Sequence, residues 1–254
     1  MNKITTMLGA ALLLLCFTAR GQITTQNIMT PGQLIQSVLV GQGVVVSNVK
    51  YNNSLVNAQS IQGNALSFTS STFPFANGVY MRTNGGPGSV AYDQDLNDIA
   101  TNVVTNGCII EFDFIPSGDT ISFRYMFSSV EYPSYACSGF NDVFGFFISG
   151  PGFSGPFMNG AENVALIPGG NIPVTINTVN SGTAGINGNP ATCAAQDPNW
   201  TANSIYYTTV YGNSVGYPYN AGTVVMTANA SVQCGETYHI KLAVADVGDS
   251  SWDS

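Results

Sequence analysis

From residue 44 to residue 246, short runs of β-branched and aromatic residues alternate with clusters of Gly, Pro, Asn and Ser. Turns this frequent leave little room for long helices and imply many short strands. The β-rich runs fall at 44–49, 65–69, 79–83, 108–115, 120–128 and 142–149, then at 164–167, 174–177, 205–210, 223–228 and 237–246. Ile110, Phe112 and Phe114 alternate with Glu111 and Asp113, so one face of that strand is buried and the other wet. Ile121, Phe123, Tyr125 and Phe127 repeat the alternation after a turn at Pro116-Ser117-Gly118-Asp119, and the two runs read as a hairpin. Val143-Phe144-Gly145-Phe146-Phe147-Ile148 is apolar on both faces and belongs in the middle of the fold. The pattern predicts an all-β chain, a jelly-roll-like β-sandwich with one or two short helices. The first helix is expected at 30–39, with Thr30 as N-cap, Pro31 in the first turn and Gly41 beyond the end. A second is expected to start at Asp93, where Asp93, Asp95 and Asp98 suit the positive end of the helix dipole. Residues 180–203 form the longest irregular stretch.

Charge narrows the function classes. Only 8% of the 254 residues are charged, with 6 Lys and Arg against 14 Asp and Glu, a net of −8. A nucleic-acid binder driven by phosphate contacts needs the opposite balance. Hydrophobic residues at 44% and aromatics at 11% are enough for a core, which argues against disorder.

Residues 1–22 read as a secretory signal. Lys3 supplies the positive region, Met7 to Phe17 the apolar run, and Ala19-Arg20-Gly21 the small residues before cleavage. That apolar run is too short to span a bilayer, which takes about 20 residues. Residues 23–254 are then a single exported domain, secreted or held at the outer cell surface, with no membrane span.

With Cys16 in the signal, four cysteines remain: Cys108, Cys137, Cys193 and Cys234. An even count in an exported chain favours disulfides, and no C-x-x-C spacing supports zinc or redox chemistry. Of the three pairings, Cys137 with Cys193 is preferred, because it clips the irregular stretch to the region before it. Cys108 with Cys234 follows.

Catalytic chemistry finds little purchase. His239 is the only histidine, and alternation in Tyr238-His239-Ile240-Lys241-Leu242 turns it, with Lys241, away from the apolar face. No Ser or Asp stands at a recognisable triad spacing from it. The acidic residues that stand out lie at strand ends: Glu131, Asn141 with Asp142, and Asp246, Asp249 and Asp253. Oxygen ligands on loops are what Ca²⁺ prefers, so these six form a candidate calcium site assembled from separate segments. The competing reading is a set of turn-forming and strand-capping side chains.

Two blocks carry a family resemblance. Phe123-Arg124-Tyr125-Met126-Phe127-Ser128-Ser129-Val130-Glu131-Tyr132-Pro133, followed by residues 138–152, is one; residues 234–250, with Asp246-Val247-Gly248-Asp249-Ser250, is the other. Together with 163–169 and 173–180 they resemble the choice-of-anchor L domain of exported bacterial surface proteins, found in Bacteroidetes and other bacteria. The resemblance covers nearly all of residues 23–254. It implies an extracellular module without established catalytic activity, followed by one of several anchoring or sorting signals. It also implies a further apolar strand beyond Ser254, so the last strand and the anchor are expected to be missing here.

Two functional classes follow. One is a non-catalytic structural or adhesive surface module, with calcium or disulfides rigidifying the sandwich. The alternative is a glycan-binding or glycan-processing sandwich, for which Trp200, Tyr206, Tyr207, Tyr211, Tyr217 and Tyr219 offer stacking rings. Aromatic-rich β segments are also what cores and cross-strand pairs require. The partner, a surface glycan or a protein, is not specified by the sequence.

Overall fold

The fold is that of a computed structural model, which describes residues 22–40, 44–55, 64–83, 89–100, 102–212, 216–251 and 253–254. The expected signal, apart from Gln22, lies outside the described residues, as does Cys16.

The strands in chain order are β1 (Thr24–Gln26), β2 (Val45–Tyr51), β3 (Ser54–Leu55), β4 (Ala65–Thr69), β5 (Asn77–Met81), β6 (Val104–Ile115) and β7 (Thr120–Tyr125). They continue as β8 (Ser128–Ser129), β9 (Val143–Ser149), β10 (Glu162–Asn163), β11 (Tyr207–Thr208), β12 (Ala221–Thr223), β13 (Met226–Ser231) and β14 (Tyr238–Val247). Among the described residues three short α-helices stand: α1 (Pro31–Leu34), α2 (Gln94–Ile99) and α3 (Pro190–Gln196). The architecture is the expected all-β one.

The main sheet has the order β10-β9-β14-β6-β2-β3, with every pairing antiparallel. Against one face pack the smaller sheets β1-β4-β5, β13-β7 and β11-β12-β8. Ile110, Phe112, Ile240 and Leu242 from the main sheet meet Ala65, Tyr125, Met226 and Ala228 from the others in one core. The opposite face of the main sheet is not left to water. Leu96 of α2 and Phe157 cover Ile109, Ala243 and Ala245 there, so β14 is buried on both sides.

The expected hairpin of 108–115 with 120–128 is not formed. β6 pairs with β14 and β2, while β7 pairs with β13 in the other layer. The turn after β6 is a crossover between sheets, matched by the β13–β14 connection beside it: Val232 N donates to Asp119 O and Gly235 N to Pro116 O. Strict alternation is satisfied equally by a hairpin and by an arch, because both bury one face.

Both helix starts are as read. Thr30 and Gln33 form a reciprocal capping box, and Pro31 opens α1, which runs on into a wider π-type turn at Ile35–Leu39. Asp93 caps α2 through Leu96 N. Residues 180–203 are less irregular than expected. Asn189 caps α3 and Pro190 occupies its first turn.

Cys137 and Cys193 form a disulfide across 56 residues. Cys108 and Cys234 do not pair. Cys108 lies opposite Val244 in β6, and Cys234 precedes Tyr238, which lies opposite Phe114. They therefore stand at opposite ends of the β6–β14 pair, about 20 Å apart at some 3.3 Å per residue, far beyond disulfide reach. Cys108 is a buried thiol donating to Asn64 O, and Cys234 is exposed.

Candidate functional site

Five of the six candidate ligands, all the acids among them, come together at one end of the sandwich. Glu131 follows β8, Asp142 precedes β9, and Asp246 sits at the bulge that shifts the register of β14 against β6. Asp249 and Asp253 lie on the segment after β14. Glu131, Asp142 and Asp246 are almost wholly buried, at 2%, 1% and 1% exposure.

Backbone and side-chain donors hold part of the cluster. Asp142 accepts from Val247 N at 3.0 Å and from Ser254 Oγ at 2.6 Å. Asp246 Oδ2 accepts from Asn106 Nδ2 at 3.0 Å, and Asp249 Oδ1 from Ser251 N at 2.9 Å. Glu131 and Asp142 lie within hydrogen-bond reach of each other. Two buried oxygens, Glu131 Oε2 and Asp246 Oδ1, have no hydrogen-bond partner.

The electrostatics follow from that crowding. Burial, then repulsion from Asp142, Asp249 and Asp246, pushes the Glu131 carboxyl far above the usual carboxylate range. Asp142 is raised too, chiefly by burial. Asp246 is pushed up to about 8 by burial and then by Asp142. Asn141 is turned elsewhere: its Nδ2 donates to Gln196 Oε1 and its Oδ1 accepts from Asn177 N. Among the described residues, no group of three or more Asp, Glu, His or Cys side chains is already spaced to hold a metal ion.

A second feature adjoins this cluster. β5 is the last strand of β1-β4-β5 and β7 the last of β13-β7, so among the described residues each has an unpaired edge. Both strands border one cavity of about 300 Å³ whose floor includes Phe144, Phe146 and Leu242 of the main sheet. Ser254 lines this cavity, and Asp253 and Ser254 lie between the residues that follow β5 and β8. Val130 N, just past β8, donates to Asp253 O at 3.1 Å, and Thr83 N, just past β5, donates to Ser254 O at 3.0 Å. Two residues thus already bridge the gap in the second layer as a strand would.

His239 is not a free base. Its Nδ1 meets Asp113 Oδ1 at 2.7 Å and its Nε2 meets Glu111 Oε2 at 3.0 Å, so both ring nitrogens are taken by carboxylates. A triad histidine needs one nitrogen open to a nucleophile. Lys241, expected on the surface beside it, is instead buried under α2, where Asp93 and Asp95 bind its ammonium. Sequence reasoning missed this group because alternation marks the second face of β14 as polar without showing that a helix covers it.

Of the aromatic rings of 200–219, Trp200, Tyr217 and Tyr219 are buried, while Tyr206, Tyr207 and Tyr211 stay half-exposed. Trp200 is buried against the Cys137–Cys193 disulfide. Tyr217 and Tyr219 are buried with Ile23 and Phe68, Tyr207 meets Tyr132 edge-on, and Tyr211 meets Phe73.

Residues 22–254 match the Choice-of-anchor L domain. The chain belongs to that family. No curated protein and no solved structure matches it. Membership makes it a surface-associated module of an exported protein. No described helix is long and apolar enough to cross a membrane.

Proposed function

We propose that this Choice-of-anchor L domain is a non-catalytic, load-carrying β-sandwich, joined to the rest of its exported protein by a β-strand seated between β5 and β7. The observation that carries this reading is that β5 and β7, each unpaired on one edge among the described residues, line one apolar cavity. Unpaired edges are an aggregation hazard that folded proteins pair, cover or charge. β5 offers five residues, Asn77–Met81, which a strand of equal length would match over about 17 Å. The bridging contacts of Asp253 and Ser254 give the direction: a strand continuing that way runs antiparallel to both β5 and β7. An anchor attached through such a strand pulls along a ladder bonded on both sides, which is a mechanically sound way to hold a surface protein.

The test is amide hydrogen exchange on the 23–254 chain and on a version extended past Ser254 by a short strand alternating Val or Ile with Thr. Exchange at the outward amides of β5 and β7 should be fast in the first and slow in the second, with a higher melting temperature. Equal protection in both would mean the slot is closed, and the reading would fail. A hydrolase screen showing turnover that is lost when one carboxylate is neutralised would refute the non-catalytic part.

A further inference from the structure

We propose that the end of the sandwich where Glu131, Asp142, Asp246, Asp249 and Asp253 meet is a calcium site that pins three loops together. The proposal does not depend on the strand slot.

Crowded carboxylates alone would not make a site, since Asp and Glu serve as caps and turn formers. The deciding observation is that Glu131 Oε2 and Asp246 Oδ1 are buried in the cluster without any hydrogen-bond donor. A buried acceptor without a partner costs roughly 1–3 kcal/mol, and more when charged. The Thr83 side chain also hydrogen-bonds Asp246, and the other nearby donors are already engaged. Val247 N and Ser254 Oγ serve Asp142, while Asn106 Nδ2 serves the other oxygen of Asp246. What the two free oxygens lack is a positive charge. A cation supplies it for both, and relieves the repulsion among the five acids at once.

The donor chemistry selects the ion. Every candidate ligand is oxygen; the one histidine is held by Glu111 and Asp113, and no thiol belongs to the cluster. Zinc and copper favour nitrogen and sulfur, whereas hard oxygen sets suit calcium and magnesium. Calcium takes six to eight oxygens in irregular geometry, while magnesium demands a near-ideal octahedron and keeps its waters. A site contributed by three separate segments fits the tolerant ion. Asp249 is half-buried on the segment 248–251, which is otherwise exposed, and its charge acts on Glu131.

The experiment uses the 23–254 chain with CaCl₂, MgCl₂ or chelator, followed by calorimetric titration and by terbium emission sensitised through nearby tyrosines. Calcium at about 10 mM, roughly tenfold above a weak extracellular Kd, should raise the melting temperature by about 3–6 °C. Magnesium should do much less. Glu131→Gln with Asp246→Asn should abolish the calcium shift and the terbium signal, and should melt higher than the parent in chelator because repulsion is gone. If that double variant does not fold, Asp249→Asn is read instead, with an expected loss of at least threefold in calcium affinity. Coincident melts of the parent in calcium and chelator would overturn the proposal. So would a calcium shift that survives in the double variant, or unchanged affinity in Asp249→Asn.

Discussion

Lys241 Nζ is bound by both carboxylate oxygens of Asp93, at 3.0 and 2.8 Å, across 148 residues of chain. Asp95 joins from the next turn of sequence, and its other oxygen accepts from Met158 N at 2.8 Å. Burial disfavours the ammonium, but the hydrogen bonds it donates to Asp93 and Asp95 outweigh that and hold Lys241 above its ordinary value. The group ties α2 to the middle of β14. Removing the cation alone leaves two buried carboxylates facing each other. Lys241→Met should therefore cost about 3–5 kcal/mol. The triple change with Asp93→Asn and Asp95→Asn, which keeps the N-cap, should recover most of that loss in denaturant melts.

The thiols give a prediction that a mass spectrometer settles. The unreduced 23–254 chain should be two hydrogens lighter than the reduced one, not four. Native alkylation should label Cys234 quickly and spare Cys108, whose thiol is pushed up to about 12 by burial. Cys108 should react only on unfolding. Reducing Cys137–Cys193 should lower stability by up to about 4 kcal/mol, the chain-entropy value for a loop of this length.

How much of this was legible in the residues depends on which face they occupy. The alternation of Ile110, Phe112 and Phe114 marked a core-facing strand correctly, because one side of β6 meets the other layer. The same rule misplaced Lys241, since α2 covers the second face and turns a polar position into a buried one. Glu131, Asp142 and Asp246 were picked out as strand-end acids, yet sequence spacing could not show that three distant segments meet. Cys137 with Cys193 was readable from the loop it closes. Cys108 with Cys234 was not excluded until the register of β14 against β6 set them apart. Partner choice, whether β6 with β7 or with β14, is a long-range property that local pattern leaves open.

His239 sets a pH dependence on the outer part of that second face. The hydrogen bond to Glu111, opposed by burial and helped by Asp113, holds the imidazole above its ordinary 6.5. His239 in turn holds Glu111 below 4.5, against burial. At Asp113, burial is outweighed by hydrogen bonds from Asn48 and His239, so it too lies below its ordinary value. The histidine's contribution is complete below pH 6.5 and fades as pH rises through its raised value. The carboxylates' contribution is present above their ordinary values and fades as pH falls. The cluster therefore helps most between about pH 4.5 and 6.5. Because His239 is partly exposed, the gain is about 1 kcal/mol or less. Melting His239→Gln beside the parent from pH 4 to 9 should show the gap widest in that window and closing on the alkaline side. The difference is the readout, since the acids around Glu131 titrate in both chains. A gap independent of pH would show that His239 acts by packing alone.

Gly188 tests how the disulfide loop is seated. Asn187 N donates to Ser134 O, Gly185 N to Ala136 O and Asn189 N to Cys137 O, at 3.0, 2.9 and 2.7 Å. The segment 185–189 thus lies backbone to backbone on the turn that leads from Glu131 to Cys137. A Cβ on Gly188 would overlap the carbonyl oxygen of Ala136, which is main chain and cannot swing aside. Forcing it in separates the two segments and breaks the bonds flanking Cys137. Gly188→Ala should lower stability by about 1–3 kcal/mol. Gly139→Ala, where a Cβ meets open space, is the control and should stay within about 0.5 kcal/mol. Equal melting temperatures for the two variants would mean that the 185–189 segment does not lie against this turn in solution. The loop would then be held by Cys137–Cys193 and by contacts such as Asn141 Nδ2 donating to Gln196 Oε1.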